Sequence, residues 1–192
     1  MSRPTLTRKP KPPVVTLIGE GITEQYYFKH IRTLFGYRYT IKPYYFGTTS
    51  LKEMDRKIAE VLAGGGIAVC VFDTDVSQRV EAEKHKLKRL FNKYKKKQNV
   101  IFCDSLPAIE YWFLLHFQNT NKYFYDANVL TKELTAFLKD YDKSESFLEK
   151  EKWVADLCAD NKLECAMDRA RNFPESSASY SNIYKAFDKF RT

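Results

Sequence analysis

IAVCVFDTD, residues 67–75, is the stretch that decides the fold: six apolar residues run directly into two aspartates separated by one threonine. A second stretch of similar design, VVTLIGEG at residues 14–21, ends with Glu20 between two glycines. Short continuous apolar runs followed by turn residues are typical of strands buried in a parallel sheet. Ligands of open α/β sheets bind outside the carboxyl ends of the strands. The two stretches therefore predict Glu20, Asp73 and Asp75 at the functional edge of such a sheet.

Strands and helices alternate along the first two thirds of the chain. The predicted elements are a strand at 14–18, a helix at 24–35 capped by Thr23, a strand at 39–46, a helix from Ser50 to the glycines at 64–66, a strand at 67–72, a charged helix up to Lys97 and a strand at 100–103. This order predicts an α/β fold, with a mostly parallel sheet flanked by helices.

The last third of the chain is helical in its pattern. Pro107 opens an apolar helix at 108–117, and further helices are predicted at 131–139, 144–157, 161–171 and 179–190. We therefore divide the chain into three parts: a basic, Pro-rich tail at 1–13, an α/β core at 14–117 and a helical C-terminal elaboration at 118–192.

Composition narrows the class of protein. The chain has 192 residues with 44% apolar and 15% aromatic content, which is typical of a folded globular domain. It has no run of eighteen apolar residues, no P-loop motif and, in its tail, no apolar segment typical of a secretory signal. The four cysteines form no CxxC pair and are predicted to be reduced thiols rather than disulfides or zinc ligands. These features favour a cytoplasmic protein without a membrane span.

Positive charge is concentrated in two segments of this chain, whose net charge is +8. The tail carries four cations and no acid, and residues 77–97 carry nine cations against two acids. A solvated helix face is the ordinary explanation of such a run, but its position directly after Asp75 favours a nucleic-acid partner. The candidate backbone-binding residues are Arg79, Lys84, Lys88, Arg89, Lys95 and Lys96.

Carboxylates at these strand ends are suited to a divalent cation. Mg²⁺ prefers hard oxygen ligands and is usually held by one or two carboxylates together with water and phosphate. Asp-x-Asp alone is also typical of a solvated turn, but together with Glu20 it favours a site for Mg²⁺ or Mn²⁺. In such a site Asp73 and Asp75 would hold the ion, and Glu20 would bind it or act as a general acid or base on a phosphodiester.

Three other polar residues are weaker candidates. Glu110 lies in a helix that is apolar on nearly all sides, so its carboxylate either binds a metal, bonds a tyrosine or reaches a solvent edge. Glu24 and His116 are candidate accessory residues. The helix macrodipole already accounts for an acid at Glu24, in a first helical turn, and a lone histidine such as His116 is more often a core residue than a ligand.

Three motifs together resemble the RloB family. They are EGITEQYYF at 20–28, FDTD at 72–75 and SLPAIEYWFLLHF at 105–117, in matching order and spacing. The Pro-x-x-Glu-x-Trp-x-x-x-His-Phe pattern in the third is the most specific. Where the family usually has an asparagine before this pattern, the chain has Ser105 and Leu106.

The resemblance implies a Toprim-type core, a class that includes topoisomerases, primases and nucleases working on phosphodiesters with Mg²⁺. It implies that Glu20 is the acid/base and metal residue, that Asp73 and Asp75 bind metal, and that Glu110 serves a second metal. It also implies a role in bacterial restriction or abortive infection beside an AAA or ABC-type ATPase.

The sequence therefore predicts a Mg²⁺-dependent nuclease that cleaves RNA or DNA in phage defence, with assembly into oligomers left open. Two alternatives remain. One is a non-catalytic nucleic-acid- or nucleotide-binding module that docks on an ATPase partner. The other is a nucleotide-binding switch that binds metal only together with a nucleotide.

Overall fold

The computed structural model describes residues 13–41, 50–76 and 80–192. Its strands are β1 Val15–Gly19, β2 Thr40–Ile41, β3 Ile67–Asp73, β4 Val100–Leu106 and β5 Tyr180–Ser181. Its helices are α1 Ile22–Phe35, α2 Leu51–Ala63, α3 Glu81–Tyr94, α4 Glu110–Leu115, α5 Ala127–Leu134, α6 Glu145–Leu148, α7 Lys152–Cys158, α8 Lys162–Asn172 and α9 Tyr184–Phe190. The tail at 1–12, most of the predicted strand at 39–46 and Arg79 lie outside the described residues.

The five strands form one sheet in the order β2-β1-β3-β4-β5. The first four pair in parallel, and β5 pairs with β4 in the antiparallel direction. The predicted α/β class with a mostly parallel sheet is confirmed. Because β1 and β3 are direct neighbours, with Gly19 opposite Val71, the chain after β1 and the end of β3 meet at one edge of the sheet.

Apolar side chains cover both faces of the sheet, as expected of continuous apolar strands. Leu17, Val69 and Val71 belong to a large core shared with α1, α4 and the C-terminal helices. The alternating residues Ile18, Cys70 and Phe72 belong to a second core under α2 and α3. The molecule thus has three layers, with the sheet in the middle.

Helix ends agree with the predictions at α2 and differ at α1. The Ser50 hydroxyl accepts a hydrogen bond from the Glu53 amide at 3.2 Å, and α2 ends at Ala63, with Gly64 as its C-cap. The prediction of Thr23 as the cap of α1 is wrong: the cap is Gly21, and Thr23 is buried inside the first turn. Glu24 explains the earlier start, because its carboxylate accepts from the Gly21 amide.

The C-terminal segment also begins differently from its prediction. A helix was predicted over 179–190, but Tyr180 and Ser181 form β5 and only Tyr184–Phe190 is helical. Asp104 explains the strand, because its buried carboxylate accepts hydrogen bonds from the Tyr180 hydroxyl at 2.8 Å and the Asn182 amide at 2.9 Å. Helical spacing of aromatic residues could not reveal this partner, which lies 76 residues away in the sequence.

Two further expectations concern the cysteines and the membrane. All four cysteines are free thiols, and Cys70 and Cys103 are buried in the sheet. Among the described residues, no helix has both the length and the apolar character that crossing a bilayer requires.

Candidate carboxylate site

Glu20 and Asp73 meet at the edge of the sheet where β1 and β3 end. Asp73 is the last residue of β3, and its backbone amide donates a hydrogen bond to the Glu20 carboxylate at 2.9 Å. This contact depends on the neighbouring positions of β1 and β3, which the sequence interpretation had only assumed. Residues 53 apart in the sequence are thereby held side by side.

Glu110 joins this pair from the start of α4. The Ile109 amide donates to the Asp73 carboxylate at 2.9 Å, which fixes the first turn of α4 against the end of β3. The Glu110 side chain is fully buried. One of its oxygens, Oε1, accepts from the Tyr141 hydroxyl at 2.9 Å and from Lys143 Nζ at 2.7 Å. The other, Oε2, is buried and has no hydrogen-bond partner among the described residues.

Glu24 is the fourth acid of the site and lies deeper than the sequence interpretation assumed. Its carboxylate accepts from the Gly21 amide at 2.9 Å, and the residue is buried. Burial, followed by repulsion from Glu110 and Glu20, raises the pKa of Glu24 to about 7. An exposed acid in a first turn needs no explanation beyond the macrodipole, whereas a buried one among three other carboxylates belongs to the site.

Mutual repulsion is the electrostatic signature of this cluster. Burial raises the pKa of Asp73 well above its ordinary value, and the charges of Glu24, Glu110 and Glu20 raise it further, while Lys143 opposes them. Burial also raises the pKa of Glu20, to which Asp75 contributes repulsion. Ionising all of these groups together is therefore costly unless a cation compensates.

Asp75 lies at the rim of the cluster. It is half-buried, and its carboxylate accepts from the Val76 amide at 2.7 Å. Within the described ranges, no three His, Cys, Asp or Glu side chains stand in an arrangement that could hold a metal ion. The carboxylates of Glu20, Glu24 and Asp73 instead accept hydrogen bonds from backbone amides, so metal binding would require side chains to turn away from these amides.

His116 lies in other surroundings. Its Nδ1 bonds the Trp112 carbonyl oxygen at 2.9 Å, and its ring packs edge-on against the Trp112 indole. Burial lowers the pKa of His116 to about 4, and the charges of Arg169 and Lys162 lower it further. The ring is neutral at physiological pH, and in the described part of the chain its hydrogen bond and ring contact are with Trp112 and not with the four acids.

The basic candidates lie on and after α3. Lys84, Lys88 and Arg89 are exposed along the helix, and Lys95 and Lys96 are exposed just beyond its end. Lys84 forms an ion pair with Glu81 at 3.5 Å on the same helix. These positions are compatible with contact to a polyanion.

Tyr141 and Lys143 are site residues that the sequence interpretation missed. Both lie between α5 and α6, in the C-terminal third, and both reach the same oxygen of Glu110. Repulsion and hydrogen bonding by Glu110 raise the pKa of Tyr141 beyond the effect of its burial. The segment has no motif, and only the buried acid at 110, which requires partners, hinted that such residues exist.

The comparisons with known proteins agree with the sequence motifs. The family model described as RloB-like protein matches residues 15–189. The chain belongs to the RloB-like family. This match runs from β1 to α9 and includes all four acids together with Tyr141 and Lys143. Neither the curated proteins nor the solved structures gave a match.

Proposed function

We propose that this RloB-like protein is a divalent-metal-dependent nuclease that cleaves phosphodiester bonds of RNA or DNA in bacterial phage defence. The observation that carries the proposal is the convergence of Glu20, Glu24, Asp73 and Glu110 from separate elements at the carboxyl edge of a parallel sheet. Such an edge is where ligands of this class of sheet bind. Acids that repel one another there are poised to bind a cation.

The donor atoms are of the kind that Mg²⁺ and Mn²⁺ prefer, and they could hold such an ion once the carboxylates turn away from the backbone amides. All four groups offer carboxylate oxygens, and Glu110 Oε2 is a buried oxygen without a protein partner among the described residues. We assign Glu20 and Asp73, with Asp75 at the rim, as the residues that would hold the ion, and Glu110 as their inner neighbour. A bound divalent ion would neutralise a phosphate oxygen and lower the pKa of its water.

The residues of this chain have separable roles in the proposed reaction. Glu20 accepts the proton of the attacking water, which its raised pKa suits better than an ordinary carboxylate. Lys143, half-exposed and bonded to Glu110, supplies a fixed positive charge between the buried acids and solvent. The basic residues of α3 contact the phosphate backbone and orient the scissile bond.

Cleavage assays on defined substrates test this proposal. Wild type should cut at least one of total tRNA, rRNA or plasmid DNA when Mn²⁺ or Mg²⁺ is added and should not cut in EDTA. Glu20→Gln and the double variant Asp73→Asn/Asp75→Asn should each reduce the rate by a factor of about 100 or more, since they remove metal ligands or the base. Asp160→Asn, at a highly exposed acid of the α7–α8 turn, serves as the control and should retain the wild-type rate.

Calorimetry with Mn²⁺ separates the proposal from its main alternative. A nuclease should bind the ion in the absence of nucleotide and lose that binding in Glu20→Gln. A docking module on an ATPase should show no divalent site that depends on Glu20. Metal-dependent cleavage that survives in Asp73→Asn/Asp75→Asn would refute the site assignment.

A further inference from the structure

A basic groove runs between α2 and α3. Its polar lining consists of Lys52 and Asp55 from α2 and Lys86, Arg89 and Lys93 from α3, and its apolar lining consists of Leu51 and Leu90. Four cations thus face one acid. The groove separates the charges of α3 into two sets, because Lys84 and Lys88 do not line it although they lie on the same helix.

The width of the groove is fixed by direct bonds between its walls. Lys93 Nζ contacts both carboxylate oxygens of Asp55, at 2.6 and 2.7 Å, and the Tyr94 hydroxyl donates to the same carboxylate at 2.6 Å. These bonds tie α3 to α2. Lys52 takes part in no ion pair among the described residues, and Arg89 donates only a long bond, 3.4 Å, to the His85 carbonyl oxygen. The bonds between the two helices therefore leave Lys52 and Arg89 available to a ligand.

The groove and the carboxylate site share a lining residue. Leu51, the first residue of α2, lines both the groove and a small pocket that contains Glu20 and Asp73. Glu83 lines that pocket and is paired at 2.6 Å with Lys86, which lines the groove. The groove and the pocket that holds the acids are therefore adjacent.

We propose that this groove binds the phosphodiester backbone of a nucleic-acid strand and leads it to the carboxylate site, with Lys52 and Arg89 as its main phosphate contacts. The charge and the position of the groove both support this ligand. Exposed cations spaced along two helices fit a repeating anion, and the groove lies next to the site where a phosphodiester would be cut. The inference rests on the proposed function, but it concerns binding and not the chemistry.

Binding without cleavage tests it. Fluorescence anisotropy in EDTA would measure the full chain against a labelled 20-nucleotide single-stranded RNA, the matching single-stranded DNA and the DNA duplex. Lys52→Glu/Arg89→Glu should weaken binding of the preferred strand about tenfold or more. The slope of log K against log salt should fall by about 1.4, the value for losing two phosphate contacts on a single strand.

The matched control is Lys132→Glu/Lys150→Glu, which makes the same charge change at two exposed lysines outside the groove. It should weaken binding less than threefold and leave the salt slope unchanged. Equal losses in the two variants would overturn the proposal, because binding would then follow net charge alone. No loss in the groove variant, or equal displacement of the strand by poly-glutamate, would also overturn it.

Two further measurements keep the result interpretable. Thermal melting of each variant checks folding, and the milder Lys52→Gln/Arg89→Gln should give a smaller loss in the same direction. Because the assay contains no metal, Glu20→Gln should bind the strand at least as tightly as wild type. A protein that binds through the groove but cuts none of the substrates would refute the nuclease and leave the groove proposal intact. A protein that cuts a substrate but shows no selective loss of binding in the groove variant would refute the groove and leave the nuclease proposal intact.

Discussion

Four carboxyl groups of this RloB-like protein share one region, and three of them, Glu20, Glu24 and Asp73, have raised pKa values. The largest cause of the raised pKa values of Glu20, Glu24 and Asp73 is burial, and repulsion within the cluster follows. Lys143 is the cation of the described structure that opposes this repulsion directly, through its contact with Glu110. Its own pKa is raised, because attraction by Glu110, Asp73 and Glu24 outweighs the effect of burial.

Stability should depend on pH through Glu24. The folded-state pKa of about 7 lies above the ordinary value of 4.5, so the folded protein holds this proton more tightly than the unfolded chain. The associated stability is fully present below pH 4.5 and is lost as the pH rises through 7, by an amount on the order of 3 kcal/mol. Urea unfolding of Glu24→Gln at pH 5 and pH 8 should therefore show a weaker pH dependence than wild type.

Glu81→Gln is the control for that comparison, since Glu81 lies exposed in the first turn of α3. It should follow the pH dependence of wild type. An unchanged dependence in Glu24→Gln would mean that this carboxyl is not held protonated by the cluster. Saturating Mg²⁺ should stabilise wild type more at pH 8 than at pH 6, because protons compete with the ion for the same oxygens.

At the scale of elements, the approach of β1 to β3 determines whether Glu20 and Asp73 meet. Gly66, just before β3, lies close to both the residue before β1 and the end of α2. A Cβ atom at this position would stand 2.9 Å from the Val14 carbonyl oxygen and 3.0 Å from a methyl carbon of Val61. The glycine run is therefore more than a helix stop, because its last member permits close contact between backbones.

Gly66→Ala should destabilise the protein by about 1–3 kcal/mol, as for other overpacked sites. Gly64→Ala is the matched control, because its Cβ would meet its nearest atoms at 3.5 and 3.7 Å, which are ordinary contacts. Urea denaturation of both variants measures the difference. Similar unfolding midpoints for the two would contradict the close approach at Gly66.

At the scale of the whole molecule, the C-terminal third shares the main core. The Tyr27 ring lies 6.0 Å from that of Trp153, and Phe28 lies 6.2 Å from Phe187. Tyr141 and Lys143 complete the surroundings of Glu110, and β5 covers the edge of β4. The boundary predicted at residue 117 stays a prediction about sequence organisation, while these contacts cross it.

A chain ending at residue 117 should therefore fail to fold. It would expose Tyr27, Phe28 and the apolar face of α4, and it would leave Glu110 without either hydrogen-bond partner. Circular dichroism during heating should show no cooperative transition for it and a single transition for the full chain. A chain lacking residues 1–12, whose sequence is basic and Pro-rich, is the control and should melt like wild type. A cooperative transition in the shortened chain would show that 14–117 is a unit of its own.

The sequence by itself determined the α/β order, the buried strands and the acids at their ends, because apolar runs, caps and turn residues are local signals. It also determined the family, since the motifs around Glu20, Asp73 and Glu110 can be recognised in order. Only the tertiary structure decided that Glu24 is a buried member of the cluster, that Tyr141 and Lys143 hold Glu110, and that some cations of α3 line a groove while others lie outside it. Those facts depend on which distant segments come into contact and on which side chains are shielded from water. No local sequence pattern encodes either.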